Sequence, residues 1–222
     1  MSDRFWFFSM AVVPNDLVGD AAKWYAAERL EEHMNVPGCS AAWLLDSIRH
    51  KDTHGTSFPN LIAIYEVADP VRFSAGRFDT QTEWGEFAPE LLESQRLTRR
   101  LLAEYEARPE VQDVWATVRI NFVDLPHKDR FQEAAFNDWY TQKHVPEICA
   151  FPGFSHAWRL ARTGRRQPVR YDEDYWAIYA INEPATLMKP VLNPWWDGVW
   201  QNNIEPGSLA RSYHNVLEHL EK

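Results

Sequence analysis

The hydrophobic and polar positions of this 222-residue chain run twice through the same order. FWFFSMAVV, an aromatic and β-branched run near 4–13, reads as a buried strand. NDLVGDAAKWYAAERLEEH follows, dense in Ala, Leu, Glu and Lys, and reads as a helix. Pro37-Gly38 turns the chain into a second strand, and NLIAIYEVADP is a third that ends at Pro70. A shorter Trp-containing helical stretch and a last strand near 99–108 complete this half. The second half repeats the series: a strand at 114–123, the helix KDRFQEAAFNDWYTQKH, a Pro152-Gly153 turn, a strand carrying His156 and Trp158, and DYWAIYAINEP ending at Pro184. A Trp-rich stretch and a strand near 210–217 follow. The last strand of the first half falls in PELLESQRLTRRLLAEYEAR, whose composition suits a helix equally well.

The repetition extends to residue identities. Without a gap, the 23-residue windows that begin at Trp24 and Trp139 agree at nine positions, including Trp-Tyr, Pro-Gly and Ala-Trp. Average composition gives roughly one or two such matches. The repeated order is βαββαβ, the ferredoxin-like split motif. We therefore expect an α+β chain of tandem ferredoxin-like repeats, 1–110 and 111–222. Each repeat covers one sheet face with its own helices, so the antiparallel sheets are expected to face each other in a dimeric-α/β-barrel-like structure with a cavity between them. Matching Trp6 with Trp115 aligns the first strands. On that alignment repeat 1 is mainly structural, an apolar wall of Trp6, Phe8, Met10 and Val12.

Composition narrows the partners. Eleven Trp, eight Tyr and twelve Phe can fill a core or line an apolar pocket. A net charge of −9 argues against nucleic acid and anionic membrane, both of which call for basic patches. The basic run RTGRRQPVR is offset at once by YDEDY and reads as a solvated hairpin loop. No stretch approaches the ~20 apolar residues of a membrane span. Two isolated cysteines, Cys39 and Cys149, fit a cytoplasmic protein with free thiols. HKDTH at 50–54 reads as a loop rather than a metal site, and there is no GxGxxG, Walker loop, HExxH or G-x-S-x-G motif. A small hydrophobic or aromatic substrate is the expected partner, and homodimer formation stays open.

FNDWYTQKHVPEICAFPGFSHAWRL resembles the EthD-like branch of the dimeric α/β-barrel superfamily: a helix ending in Trp-Tyr, then His-x-Pro, then Pro-Gly-Phe into a strand. The likeness covers 136–160 well and the rest of each half more weakly, and repeat 1 lacks the His-x-Pro. It implies paired sheets and an interior pocket but no single reaction, since the superfamily includes polyketide cyclases, quinone-forming monooxygenases, isomerases, dehydratases and haem enzymes.

Chemistry is expected in repeat 2. His144 precedes Val145-Pro146, so the helix should end near it, where the helix dipole favours the imidazolium. Tyr140 lies one turn before it, and Glu147, three residues on, can orient the ring. Together they would act as the acid/base group, although His144 can instead cap its helix. On the first strand, Trp115, Thr117, Arg119 and Asn121 share a face expected to look into the barrel, with Val114, Ala116, Val118 and Ile120 against the helices. Arg119 and Asn121 would then hold a substrate oxygen. His156, Trp158 and Tyr179 complete the substrate-binding candidates, and Trp195, Trp196 and Trp200 read as a lid.

The residues favour a cofactor-independent acid/base enzyme of lyase, dehydratase, cyclase or isomerase type, or a cofactorless oxygenase. A non-catalytic carrier of a hydrophobic ligand is the second reading. A haem protein with His144 or His156 as axial ligand is the third.

Overall fold

A computed structural model describes residues 3–47, 59–75, 78–111, 117–123, 130–169, 171–182 and 209–215. Trp115, the HKDTH stretch and the three Trp of the expected lid lie outside them. The fold is α+β, with every strand pair antiparallel among those described. Two compact units divide the chain, Met1–Arg100 with Tyr213–Lys222, and Leu101–Ser212.

In the first unit, β1 (Phe5–Val12) pairs on one side with β3 (Leu61–Val67) and on the other with the early part of β4 (Glu93–Glu106). β2 (Cys39–Ser47) lies beyond β3, and its end meets the end of β8 (Leu209–Asn215). β4 is a strand despite its helix-forming composition. Its alternating burial matches period 2, because sheet pairing overrides a weak intrinsic preference.

Phe7, Ala11, Leu44, Leu61, Ala63, Tyr65 and Val67 face a helix that runs without a break through α1 (Val18–Tyr25), a π-helical turn at Ala26–Leu30 and α2 (Glu31–Met34). The rest of that face is covered by α3 (Pro70–Ser74), capped by the Asp69 carboxylate, and α4 (Thr80–Trp84), capped by Asp79.

The second unit repeats this plan. β7 (Tyr175–Ile181) lies between β5 (Thr117–Val123) and β6 (Phe154–Arg162), and the backbone just past β4 meets β6 through Ala107 N–H to Ser155 O at 2.8 Å. The helix again continues through a π-helical turn: α5 (Arg130–Trp139), Tyr140–His144, then α6 (Val145–Cys149). It does not end at His144 as expected. Pro146 occupies the first positions of α6, where its missing N–H and fixed φ are tolerated. The repeats share finer detail as well. Gly38 and Gly153 both turn the chain at φ 94°, and β2 and β6 each carry a register irregularity at the same place, Cys39/Ala41 and Phe154/His156.

The expected face assignment of β5 is reversed. Phe7 pairs with Tyr65 and Arg119 with Tyr179, so the structure equates Phe7 with Arg119, whereas matching Trp6 to Trp115 displaces the strand by three residues. An odd displacement turns every side chain to the other face. Arg119 and Asn121 therefore share the helix-covered face with Tyr179 and Ala177, and Val118, Ile120 and Phe122 lie on the opposite face. No helix among the described residues is long and apolar enough to cross a membrane.

Candidate functional site

The pleat sorts the sequence candidates into two groups. Tyr140, His144, Arg119, Asn121 and Tyr179 come together between the second unit's helix and sheet. His156 and Trp158 lie on the other sheet face, in register with Ala180 and Ile178. There the Trp158 indole N–H donates to Glu104 at 2.9 Å, and His156 Nε2 is 3.3 Å from Glu106. The two groups form no single site.

The helix-side group is built around one residue that sequence reasoning passed over. Arg159, on β6, is only 1% exposed. Its guanidinium lies over the Tyr140 ring at 4.2 Å and near the rings of Tyr175 and Phe136. It donates to Asn137 O at 3.1 Å, Asn137 Oδ1 at 2.9 Å and Thr141 Oγ1 at 2.9 Å, and its Nε is buried without an acceptor. Among the described residues no carboxylate pairs with it. The sequence did carry a signal. Arg159 stands opposite Ala177 as Leu44 stands opposite Ala63, so one repeat has a cation where the other has a core leucine.

His144 is 3% exposed, stacked on Trp139 at 5.0 Å and edge-on to Tyr140 at 4.7 Å. Burial, and then the positive charge of Arg159, push its pKa down to about 4. This reverses the expected protonation: the ring is neutral at physiological pH, and the continuous helix supplies no C-terminal dipole to favour the cation. The capping role fails for the same reason.

The Tyr179 hydroxyl donates to Tyr140 at 3.4 Å, and Asn121 also bonds Tyr140 while holding Arg119 Nε at 3.2 Å. Burial raises the pKa of both phenols. Tyr175 hydrogen-bonds Glu133 and Asn137 at the half-buried edge of the group. The arrangement offers a neutral imidazole as proton acceptor, neutral phenols as donors and a buried cation.

The first unit holds a counterpart that sequence reasoning passed over. Tyr25, the equivalent of Tyr140, donates to Glu83 Oε1 at 2.9 Å and lies 3.0 Å from the hydroxyl of Tyr65, the equivalent of Tyr179. His33 Nδ1 is 2.9 Å from that Tyr65 hydroxyl, and Arg96 Nε donates to Glu83 Oε2 at 3.0 Å. Glu83 is fully buried. Burial pushes its carboxyl up, against Ser9, Arg96 and Tyr25, which hold it down. Trp6, Phe8 and Met10 are buried on the opposite face of β1.

No group of three or more His, Cys, Asp or Glu among the described residues is placed to hold a metal ion. An axial haem ligand needs an imidazole nitrogen beside a slot wide enough for the macrocycle. His144 is packed against Trp139 and Tyr140, and His156 is stacked on Trp158 with Nε2 turned to Glu106.

No family model matches the chain, and no curated protein matches it. Solved structures do. An anthrone oxidase-like protein superposes with a TM-score of 0.63 at 9% identity, over 97% of this chain and 92% of its own. A monooxygenase-like protein from Lactobacillus acidophilus gives 0.58 at 12%, over 96% and 94%. Chlorite dismutase from Candidatus Nitrospira defluvii, in complex with imidazole, gives 0.55 at 11%, over 98% and 94%. The fold is that of the dimeric α/β-barrel proteins. At these identities the likeness is one of fold.

Proposed function

We propose that this chain is a cofactor-independent enzyme of the dimeric α/β-barrel type, EthD-like in its second repeat, acting on a small aromatic or otherwise apolar molecule by proton transfer. One observation carries the reading: a neutral, buried His144 shares a helix–sheet group with two neutral phenols and the Arg159 cation. His144 takes a proton from an acidified carbon or hydroxyl. Tyr140 hydrogen-bonds the oxygen on which negative charge gathers, Tyr179 and Asn121 position Tyr140, and Arg159 offsets the charge. The electron pair left on the substrate can be reprotonated elsewhere, expel a leaving group or pass to dioxygen, giving isomerase, lyase or oxygenase outcomes. Fold neighbours that include anthrone oxidase-like and monooxygenase-like proteins favour testing the oxygenase outcome first.

The test is oxygen uptake with an anthrone as probe substrate, for the wild type and for His144→Ala. The reading requires a wild-type rate well above background and a loss of about a hundredfold or more in the variant, with binding retained. Equal rates in the two proteins remove His144 as the base. Binding with no turnover in either supports the carrier reading instead.

A further inference from the structure

Five side chains of the second repeat form a polar line that the first repeat does without. Glu133, Asn137 and Thr141 stand at four-residue intervals on one stripe of the helix, and Arg159 and Tyr175 lie on the strands it covers. Counted from the shared Trp-Tyr pair, the helix positions are Val18, Ala22 and Ala26 in repeat 1. The strand positions are Leu44 and Leu61, since Tyr175 stands opposite Ala161 as Leu61 stands opposite Asp46. All of these repeat 1 residues belong to the first unit's apolar core or pack against it. At this place the fold is complete with hydrocarbon alone.

Every link of the line is made, and each has a direction. The Tyr175 hydroxyl donates to the Glu133 carboxylate. Asn137 Nδ2 donates to the Tyr175 hydroxyl at 2.9 Å and to Glu133 O at 3.0 Å. With both amide protons committed there, Oδ1 is turned the other way, where Arg159 donates to it at 2.9 Å. The other terminal nitrogen of Arg159 donates to Asn137 O and to Thr141 Oγ1, at 3.1 and 2.9 Å. Both ends of the guanidinium are thus held while its centre lies 4.2 Å from the Tyr140 ring. A guanidinium that is 1% exposed is costly, and replacing such a buried charge with hydrocarbon is often neutral or stabilising. Repeat 1 is that replacement, so stability does not account for the line.

We propose that Asn137 is a positioning residue: together with Thr141 it fixes the Arg159 charge against Tyr140, and its own amide is set by Tyr175 and Glu133. The line supports the functional group and not the fold. A carboxylate placed directly on Arg159 would cancel its charge at Tyr140, whereas Glu133, two links away, orients the line and leaves that charge where it is. The charge reaches His144 as well, where it adds to burial in keeping the ring neutral. The inference rests on the helix–sheet group being the functional site, but the placing of the charge and its effect on His144 do not depend on any reaction.

Two variants of the full chain test it. The first returns all five positions to their repeat 1 residues: Glu133→Val, Asn137→Ala, Thr141→Ala, Arg159→Leu and Tyr175→Leu. It should fold with a urea midpoint at or above that of the wild type, while kcat for the anthrone probe falls at least about tenfold. The second, Asn137→Asp, puts an anion directly on Arg159. The titration midpoint of His144, followed by NMR of the imidazole, should then rise from about 4 by about one unit or more, with kcat lowered and KM within about twofold of wild type. An unmoved His144 midpoint in Asn137→Asp overturns the proposal. So does a five-residue variant that unfolds, since the line would then belong to the core, or one that keeps the wild-type kcat. If the wild type does not turn over the anthrone, the enzyme reading fails, and the His144 and urea midpoints decide the role of the line by themselves.

Discussion

The first unit closes its buried polar chain on Glu83 and Arg96, whereas in the second Arg159 lies over the Tyr140 ring and no carboxylate joins them among the described residues. Both groups occupy the same place, under a helix with a π-helical turn and over the third strand of the repeat. A fully satisfied buried polar network rigidifies a core. The first unit thus serves as an internal reference for the candidate site in the second.

The sharpest way to break the comparison is Glu83→Ala. It strips the anion from a group that has one, leaving Arg96 and Tyr25 without their acceptor. The expected loss is about 3–5 kcal/mol, read from urea unfolding. Arg159→Leu is the mirror experiment, and its stability change should be far smaller. If both variants lose equally, Arg159 is as well compensated as Glu83 and the contrast between the repeats fails.

Next in size is acid. His144 has its folded pKa lowered to about 4 from an ordinary 6.5, so below 6.5 the unfolded chain binds a proton that the folded chain refuses. This contribution is complete above pH 6.5 and is lost as the pH falls toward 4, up to about 3 kcal/mol. His144→Gln should flatten that part of the stability–pH curve. The same shift predicts that kcat/KM for the probe substrate shows no His144 titration between pH 6 and 8; a rise with midpoint near 6.5 would mean an ordinary imidazole.

Smaller again is Gly85→Ala. Gly85 sits at φ 50° directly under the Trp24 indole, where an added methyl group collides with the ring. The cost should be about 1–3 kcal/mol, with no effect on ligand binding in the second unit. The smallest expected effect is Arg159→Leu on stability itself, within about 1 kcal/mol of wild type, because the cavity is refilled by an apolar side chain and a costly charge is removed.

Periodicity made the βαββαβ order legible, and the Trp-Tyr and Pro-Gly echoes aligned the helices and the second strands correctly. The first strands were misaligned because Trp6 and Trp115 look alike, while pairing is decided by neighbours such as Phe7 with Tyr65 and Arg119 with Tyr179. The charge of His144 was misread: Val145-Pro146 signals a helix end, but the π-helical turn lets the helix continue and bury the ring. Arg159 escaped notice because an arginine on a strand reads as a surface residue until its cross-strand neighbours are known. Glu83 and His33 escaped for the same reason. Burial depends on contacts across tens of residues, and local pattern carries no record of them.

The π-helical turns add a consequence of a different kind. Such a turn holds one residue more than the α-helix needs, so each repeat carries a spare residue in the middle of its main helix. Deleting one residue from Ala26–Leu30 or Tyr140–His144 would restore ordinary winding with the downstream residues still in phase, so Val145, Ile148 and Cys149 would keep the core face. The same deletion made in α5 would rotate them away by about 100°. The turn is thus the one place in the helix where the chain can lose a residue and keep its core, and the change would be confined to the spacing within the turn, such as that between Tyr140 and His144.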